Sequence, residues 1–217
     1  MSLVLYAHPV SNFCAKVEIV LRLKNLAYET RLPPGGYGSL EYRAIVATGT
    51  IPALVDGELV LAESETINEY LDEAYPEPPL LPDATVARAL ARQLARFHDT
   101  RLEPVLRGLF PQMDPATRDK GAVAAAAETY RKRLHELALL AKPSPWLGGP
   151  RIGLADAAYP ATLLMGDMML AALGESAPLP ESLAAWRRAL DAHPAAAPVL
   201  EQSREAMQAW LRRKNAA

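Results

Sequence analysis

The residues able to do chemistry gather in the first third of the chain. Ser11 follows a short apolar run, Leu3 to Tyr6, and a break at His8-Pro9-Val10. Behind it, Val17, Val20, Leu21 and Leu23 fall at helical spacing. A helix N-terminus carries unpaired N–H groups and a partial positive charge. A hydroxyl there has two readings: an N-cap that accepts from the first turn, or a donor to an anion held at the helix mouth. Cys14 lies three residues on. Ser11-Asn12-Phe13-Cys14 has the spacing of a redox pair whose first cysteine is replaced. A thiol one turn into a helix can ionise easily, and the plainer reading is a small buried apolar residue. Ile51-Pro52 opens a strand-like run. Proline cannot donate to a ladder, so the N–H and C=O of Ile51 are free to meet a peptide-like ligand. Ser64 begins a helix after Glu63. Its N–H and hydroxyl suit a carboxylate, with a plain N-cap as the alternative. His98, Asp99 and Tyr6 read as packing residues.

These side chains need elements to hold them. Apolar runs at Leu3–Tyr6, Tyr28–Leu32, Ile51–Val55 and Leu59–Leu61 predict strands, the last two joined by the Asp56-Gly57 turn. Helical segments follow the first strand, surround residues 40–45, and start at Ser64. The order is βαβαββα over residues 1–77. Four prolines between Pro76 and Pro82 predict a stiff connector. Residues 85–217 read as all helix. One long helix runs from Ala84 to about Leu109, which Pro104 can kink or end. Others cover about 115–140, 154–173, 181–190 and 195–213. In Gly153-Leu154-Ala155-Asp156 the acid can bond back to the cap residue, a structural feature.

Composition narrows the function. The chain has 217 residues with 25 acidic and 23 basic side chains, so nothing in its charge points to nucleic acid. One cysteine excludes an internal disulfide and suits a reducing compartment. No signal-peptide pattern and no membrane-length apolar run is read. The expectation is a cytoplasmic protein with no membrane or nucleic-acid partner and no metal.

Two stretches carry a resemblance. Glu41-Tyr42-Arg43-Ala44-Ile45-Val46-Ala47-Thr48-Gly49-Thr50-Ile51-Pro52-Ala53-Leu54 resembles the E-F-x-x-I-N-P-x-G-K-V-P-x-L stretch of cytosolic glutathione transferases. Glu63-Ser64 with Ile67 and Tyr70-Leu71 is similar to their E-S-x-A-I-x-x-Y-L. Gly153 to Asp156 resembles the family's S-x-A-D box, and Trp186 with Pro194 its helical tail. The resemblance implies a thioredoxin-like N-terminal domain (1–77), an all-α C-terminal bundle (85–217) and a homodimer of the bacterial, serine-type theta/zeta-like kind. It implies that Ser11 activates the thiol of glutathione, the co-substrate. It also implies a cis Pro52, an Ile51 backbone that pairs with the cysteinyl unit, and Glu63 and Ser64 on the γ-glutamyl group. Thr50 stands where a lysine usually helps the glycyl carboxylate, and Val46-Ala47 replaces Asn-Pro. The zeta-like Ser-Ser-Cys is absent, which disfavours maleylacetoacetate isomerisation. The implied activity is conjugation of glutathione to a small apolar electrophile, in a cleft between residues 6–13 and the helix at 96–109. A thiol reductase using Cys14 and a non-catalytic binding protein are the alternatives.

Overall fold

The computed structural model describes residues 3–216. Strand β1 (Leu3–Tyr6) is central in a four-stranded mixed sheet of order β2-β1-β3-β4. It runs parallel to β2 (Tyr28–Arg31) and antiparallel to β3 (Ala53–Asp56), with Leu5 opposite both Thr30 and Leu54. A parallel pair needs a crossover, and α1 (Asn12–Leu23) supplies it. Strand β4 (Leu59–Ala62) closes a hairpin with β3 through Gly57, whose φ of +61° favours glycine. Helices α2 (Leu40–Arg43) and α3 (Ser64–Ala74) complete the predicted order. Val17, Val20 and Leu21 of α1 and Ile67 and Leu71 of α3 share one apolar core with Leu3 and Leu5.

The remainder is helical: α4 (Thr85–Phe97), α5 (Glu103–Arg107), α6 (Lys120–Leu140), α7 (Leu154–Ala157), α8 (Pro160–Ala172), α9 (Ala184–Ala192) and α10 (Ala197–Ala216). Beyond residue 90, the β-type pairing among the described residues is one isolated bridge, Trp146 to Gly149, inside a loop.

Several expected bounds shift for physical reasons. Strand β3 starts at Ala53, which leaves the cis Ile51-Pro52 peptide outside the ladder. The helix expected over 84–109 is interrupted before Pro104, by a π-helical turn at His98–Leu102. In a continuous α-helix the ring of Pro104 would meet the carbonyl four residues back, and the wider turn moves that carbonyl aside. Helix α6 begins at Lys120 rather than near 115, because Asp119 caps it with bonds from Gly121 and Ala122 N–H at 2.7 and 3.1 Å. The helix expected over 154–173 is two helices, since Pro160 can start a helix but not continue one.

The proline-rich connector is pinned at both ends. Buried Lys24 donates to the Tyr75 and Pro78 carbonyls at 2.7 and 2.9 Å and pairs with Asp72. Asp72 accepts from Leu80 N–H, and the Leu80 carbonyl accepts from Leu154 N–H at 3.1 Å. A Cβ on Gly153 would lie 2.3 Å from that carbonyl, so a serine or threonine does not fit there. Only the return half of the expected capping box therefore forms, from Gly153 N–H to Asp156 Oδ2 at 3.0 Å. Asp156 Oδ1 adds bonds from Leu147 N–H and the Trp186 indole at 2.9 and 2.8 Å. Burial pushes its carboxyl up to about 6 against these three donors. The core is shared across the junction: Leu154, Ala161, Leu164, Val199 and Leu200 pack in the same cluster as α1.

Candidate functional site

A cavity of about 1040 Å³ opens between the sheet end of residues 3–79 and the helices α4 and α5. Ser11, Thr50, Ile51, Pro52, Glu63 and Ser64 all line it. The opposite wall is Arg96, Asp99, Thr100, Arg107 and Phe110. This is the cleft the sequence pointed to.

The N-cap reading of Ser11 holds and is compatible with the second. Ser11 is the N-cap of α1, and its Oγ accepts from Cys14 N–H at 3.3 Å. That bond uses a lone pair, and the O–H proton stays available to an anion in the cavity. Phe13 N–H is taken by the Asn12 side chain at 2.9 Å. Cys14 does not line the cavity. It is 2% exposed, and burial pushes its thiol up to about 11, although the bond from Ser11 opposes this. Such a thiol is protonated at neutral pH. Tyr6 is packed, its ring 5.4 Å from Tyr42.

Ser64 opens α3 with no side-chain cap before it. Its N–H and those of Glu65 and Thr66 are first-turn donors without an intrahelical acceptor, and all three residues face the cavity. Glu63 carries φ +71° and ψ 110°, a conformation that costs a non-glycine residue about 1–3 kcal/mol. Among the described residues, the N–H and C=O of Ile51 make no hydrogen bond to the protein. Thr50 is partly engaged: its carbonyl accepts from the Tyr42 hydroxyl at 2.9 Å, and its side chain meets Thr48 at 2.8 Å.

Under the floor of the cavity lies a buried polar chain that the sequence did not reveal. Lys16, with no exposed surface, pairs with Glu65 of α3 and with Asp99 of the π turn. Asp99 accepts from His98 Nδ1 at 2.7 Å, and His98 Nε2 meets Thr162 Oγ1 at 2.6 Å. Asn12 Nδ2 reaches Thr162 at 3.0 Å and Glu103 at 3.4 Å, and Glu103 pairs with Arg107. Protons have a consistent arrangement: Nδ1 protonated toward Asp99, and the Thr162 hydroxyl donating to Nε2 while accepting from Asn12. Burial holds His98 below its usual range, with Asp99 opposing. Burial also raises Glu65, against Lys16. For Asp99 burial pushes upward too, but the bonds from His98 and Lys16 prevail and hold it low. The sequence signal missed was Lys16, a lone lysine at a position where α1 faces inward.

Among the described residues, no group of three or more His, Cys, Asp or Glu side chains is arranged to hold a metal ion, and no helix is long and apolar enough to cross a membrane.

Residues 5–79 match the model of the glutathione S-transferase N-terminal domain. These residues are thus a glutathione S-transferase N-terminal domain. The transferase fold extends past that domain. The theta class glutathione S-transferase of Xanthomonas axonopodis pv. citri, solved with glutathione bound, superposes with a TM-score of 0.75 at 27% identity, over 92% of this chain and 97% of that one. Among curated relatives, a stringent starvation protein A homolog of Pasteurella multocida is 35% identical over 137 residues, which are 63% of this chain and 60% of the relative. Glutathione S-transferase Z2 of Arabidopsis thaliana is 39% identical over 103 residues, 46% of each chain. The match thus spans roughly half the length of these two relatives. The transferase fold accounts for the thioredoxin-like first part and the helical remainder.

Proposed function

We propose that the protein is an enzyme that binds glutathione in this cavity and transfers its thiolate to an electrophile with an apolar reacting body. Ser11 donates its hydroxyl proton to the thiolate sulfur. The Ile51 backbone pairs with the cysteinyl unit, Pro52 shapes that loop, and Glu63 and Ser64 hold the γ-glutamyl end, its carboxylate at the mouth of α3. Thr50 stands near the glycyl end without a charge to offer. Residues 1–77 act as the glutathione-binding domain and 85–217 as the helical domain, in a cytoplasmic homodimer without a metal. What carries this reading is the convergence of one free hydroxyl, one unpaired peptide and one open helix mouth on a single cavity.

The energetics suffice. A thiol near its ordinary pKa is mostly protonated at neutral pH. Lowering it by about two units takes roughly 2.7 kcal/mol. One hydrogen bond to a charged group supplies about 1.5–3 kcal/mol, and the N-terminus of α1 adds about 0.3–1. In the reaction, sulfur forms a bond to the electrophilic carbon and the leaving group departs with its electron pair. The thiol proton has already gone to water.

Thiolate absorbance of the glutathione complex, followed against pH, tests the assignment. Ser11→Ala should raise the bound thiol's pKa by about one to two units, the equivalent of the lost bond. Turnover near neutral pH should fall about tenfold, with glutathione affinity changed much less. Cys14→Ala should leave conjugation nearly intact. The reverse pattern would move the chemistry to Cys14 and make the protein a thiol reductase. If neither variant matters and no conjugate forms, the binding-protein reading takes over.

A further inference from the structure

The wall facing the glutathione side is not the plain apolar surface that an apolar electrophile would need. Arg107, at the end of α5, projects into the cavity with its side chain 49% exposed. Its guanidinium lies over two rings, 5.7 Å from the Phe13 centroid and 5.0 Å from that of Phe110. One Nη donates to Glu103, whose carboxylate is 4% exposed and so sits behind the guanidinium. The other N–H groups of Arg107 have no partner among the described residues. A guanidinium presents five donors in a rigid planar fork. Here one donor and two ring contacts fix the fork and leave the rest for a ligand. Phe110 is itself backed by Trp210 at 5.3 Å, and buried Met165 completes this end of the cavity.

The remaining charges of the cavity do not cancel this site. Glu65 and Asp99 share the buried Lys16. Arg96, 62% exposed, touches Asp99 only at 3.8 Å and adds a second cation to the same wall. Glu63 lies with Ser64 at the mouth of α3, where the glutamyl ammonium of the proposed co-substrate would neutralise it. His8 and Tyr37 are the other titratable groups in the lining.

We infer that the second substrate is a flat, unsaturated electrophile bearing an anionic group, its plane against Phe13 and Phe110 and its carboxylate or similar anion on the fork of Arg107. The inference rests on the transferase reading for the identity of the reaction and not for the identity of the site. Two flat faces and a fixed fork match a conjugated carboxylate: the rings take the π surface, and the fork takes the two oxygens in parallel. Lysine could not replace the fork, because its ammonium is a single point of charge.

Matched probes test this. Chlorodinitrobenzene and chlorodinitrobenzoate share one reaction, in which the thiolate sulfur bonds to the ring carbon and chloride leaves with the electron pair, and they differ by one carboxylate. The wild-type protein should prefer the benzoate in kcat/KM by about tenfold or more. In Arg107→Gln that preference should fall roughly ten- to a hundredfold, the size of a lost charge-assisted pair. Arg107→Lys, which keeps a charge beside Glu103 should the glutamine variant fold poorly, should lose part of the preference. Calorimetry with dinitrobenzoate and dinitrobenzene, which lack the leaving group, reads the same preference without turnover. An unreactive protein that still binds the benzoate through Arg107 would therefore sink the transferase reading and keep the anion site. Equal binding of the two probes, or a preference untouched in both variants, overturns the inference. So does a tenfold loss of glutathione affinity in Arg107→Gln, which would give the fork to the tripeptide's own carboxylate.

Discussion

The two walls of the cavity work by different means. The wall from residues 3–79 offers backbone: the mouth of α1 beside Ser11, the open first turn of α3, and the unpaired peptide at Ile51. Lys16, beneath it, is wholly buried between two carboxylates and does not line the cavity. The helical wall offers side chains, and of its cations Arg107 stands half-exposed between two rings. The same charge is thus a structural clamp on one side and a ligand contact on the other. Burial decides which: a charge without water must be matched by the protein, and a charge at a surface can still be matched by a substrate.

The sharpest way to break that contrast is to remove the clamp. Lys16→Met leaves Glu65 without its counter-ion and Asp99 with only Arg96 at 3.8 Å, and unfolding free energy in a urea titration should drop by about 3–5 kcal/mol. A loss under about 1 kcal/mol, the scale of exposed pairs, would mean that water reaches Lys16 and that the two cations do not differ in kind. Next in size is the backbone wall itself. Ser64→Ala should weaken glutathione binding by about 1–3 kcal/mol in calorimetry, since a bound carboxylate loses a charge-assisted bond. Unchanged affinity would remove the mouth of α3 from the site. The smallest effect is a pH dependence. His98 is held neutral by burial, so its pKa is lower folded than unfolded. Below about 6.5 the unfolded chain takes up a proton that the folded one refuses. Stability should therefore be full above that pH and decline as pH falls through it toward the folded value. In His98→Gln that component of the decline should vanish. A decline of equal slope in the variant would assign it to the carboxylates.

Legibility from sequence follows the same division. The backbone wall could be read because its parts are local: a serine before a helical run, a proline that opens a strand, a Glu-Ser at a helix start. Each motif places its own atoms, and Ser11, Ile51 and Ser64 duly meet in one cavity. The order of the elements along residues 1–77 was legible for the same reason. Lys16 and Arg107 could not be read this way. Their partners are 83 residues away for Lys16 and Asp99, and on another element for Arg107 and Phe13. Pro104 reads as kinking or ending its helix, and the irregular turn contains Thr100, the residue four before it. Gly153 forms only half of the expected box, and the reason, the room it leaves for the Leu80 carbonyl, lies 73 residues away in sequence.

The π turn at His98–Leu102 has a geometric consequence of its own. A π turn holds one residue more than an α turn, and each residue of an α-helix advances the side chains by about 100° around the axis. The wider turn absorbs that extra residue, so α5 keeps nearly the phase it would have after one residue fewer of plain α-helix. Asp99 inside the turn points to Lys16, while Arg107 beyond it points between Phe13 and Phe110. Closing the turn into regular α-helix with all its residues kept would swing α5 by about 100°, away from the rings. The two cation sites are indexed to each other by the phase of one helix.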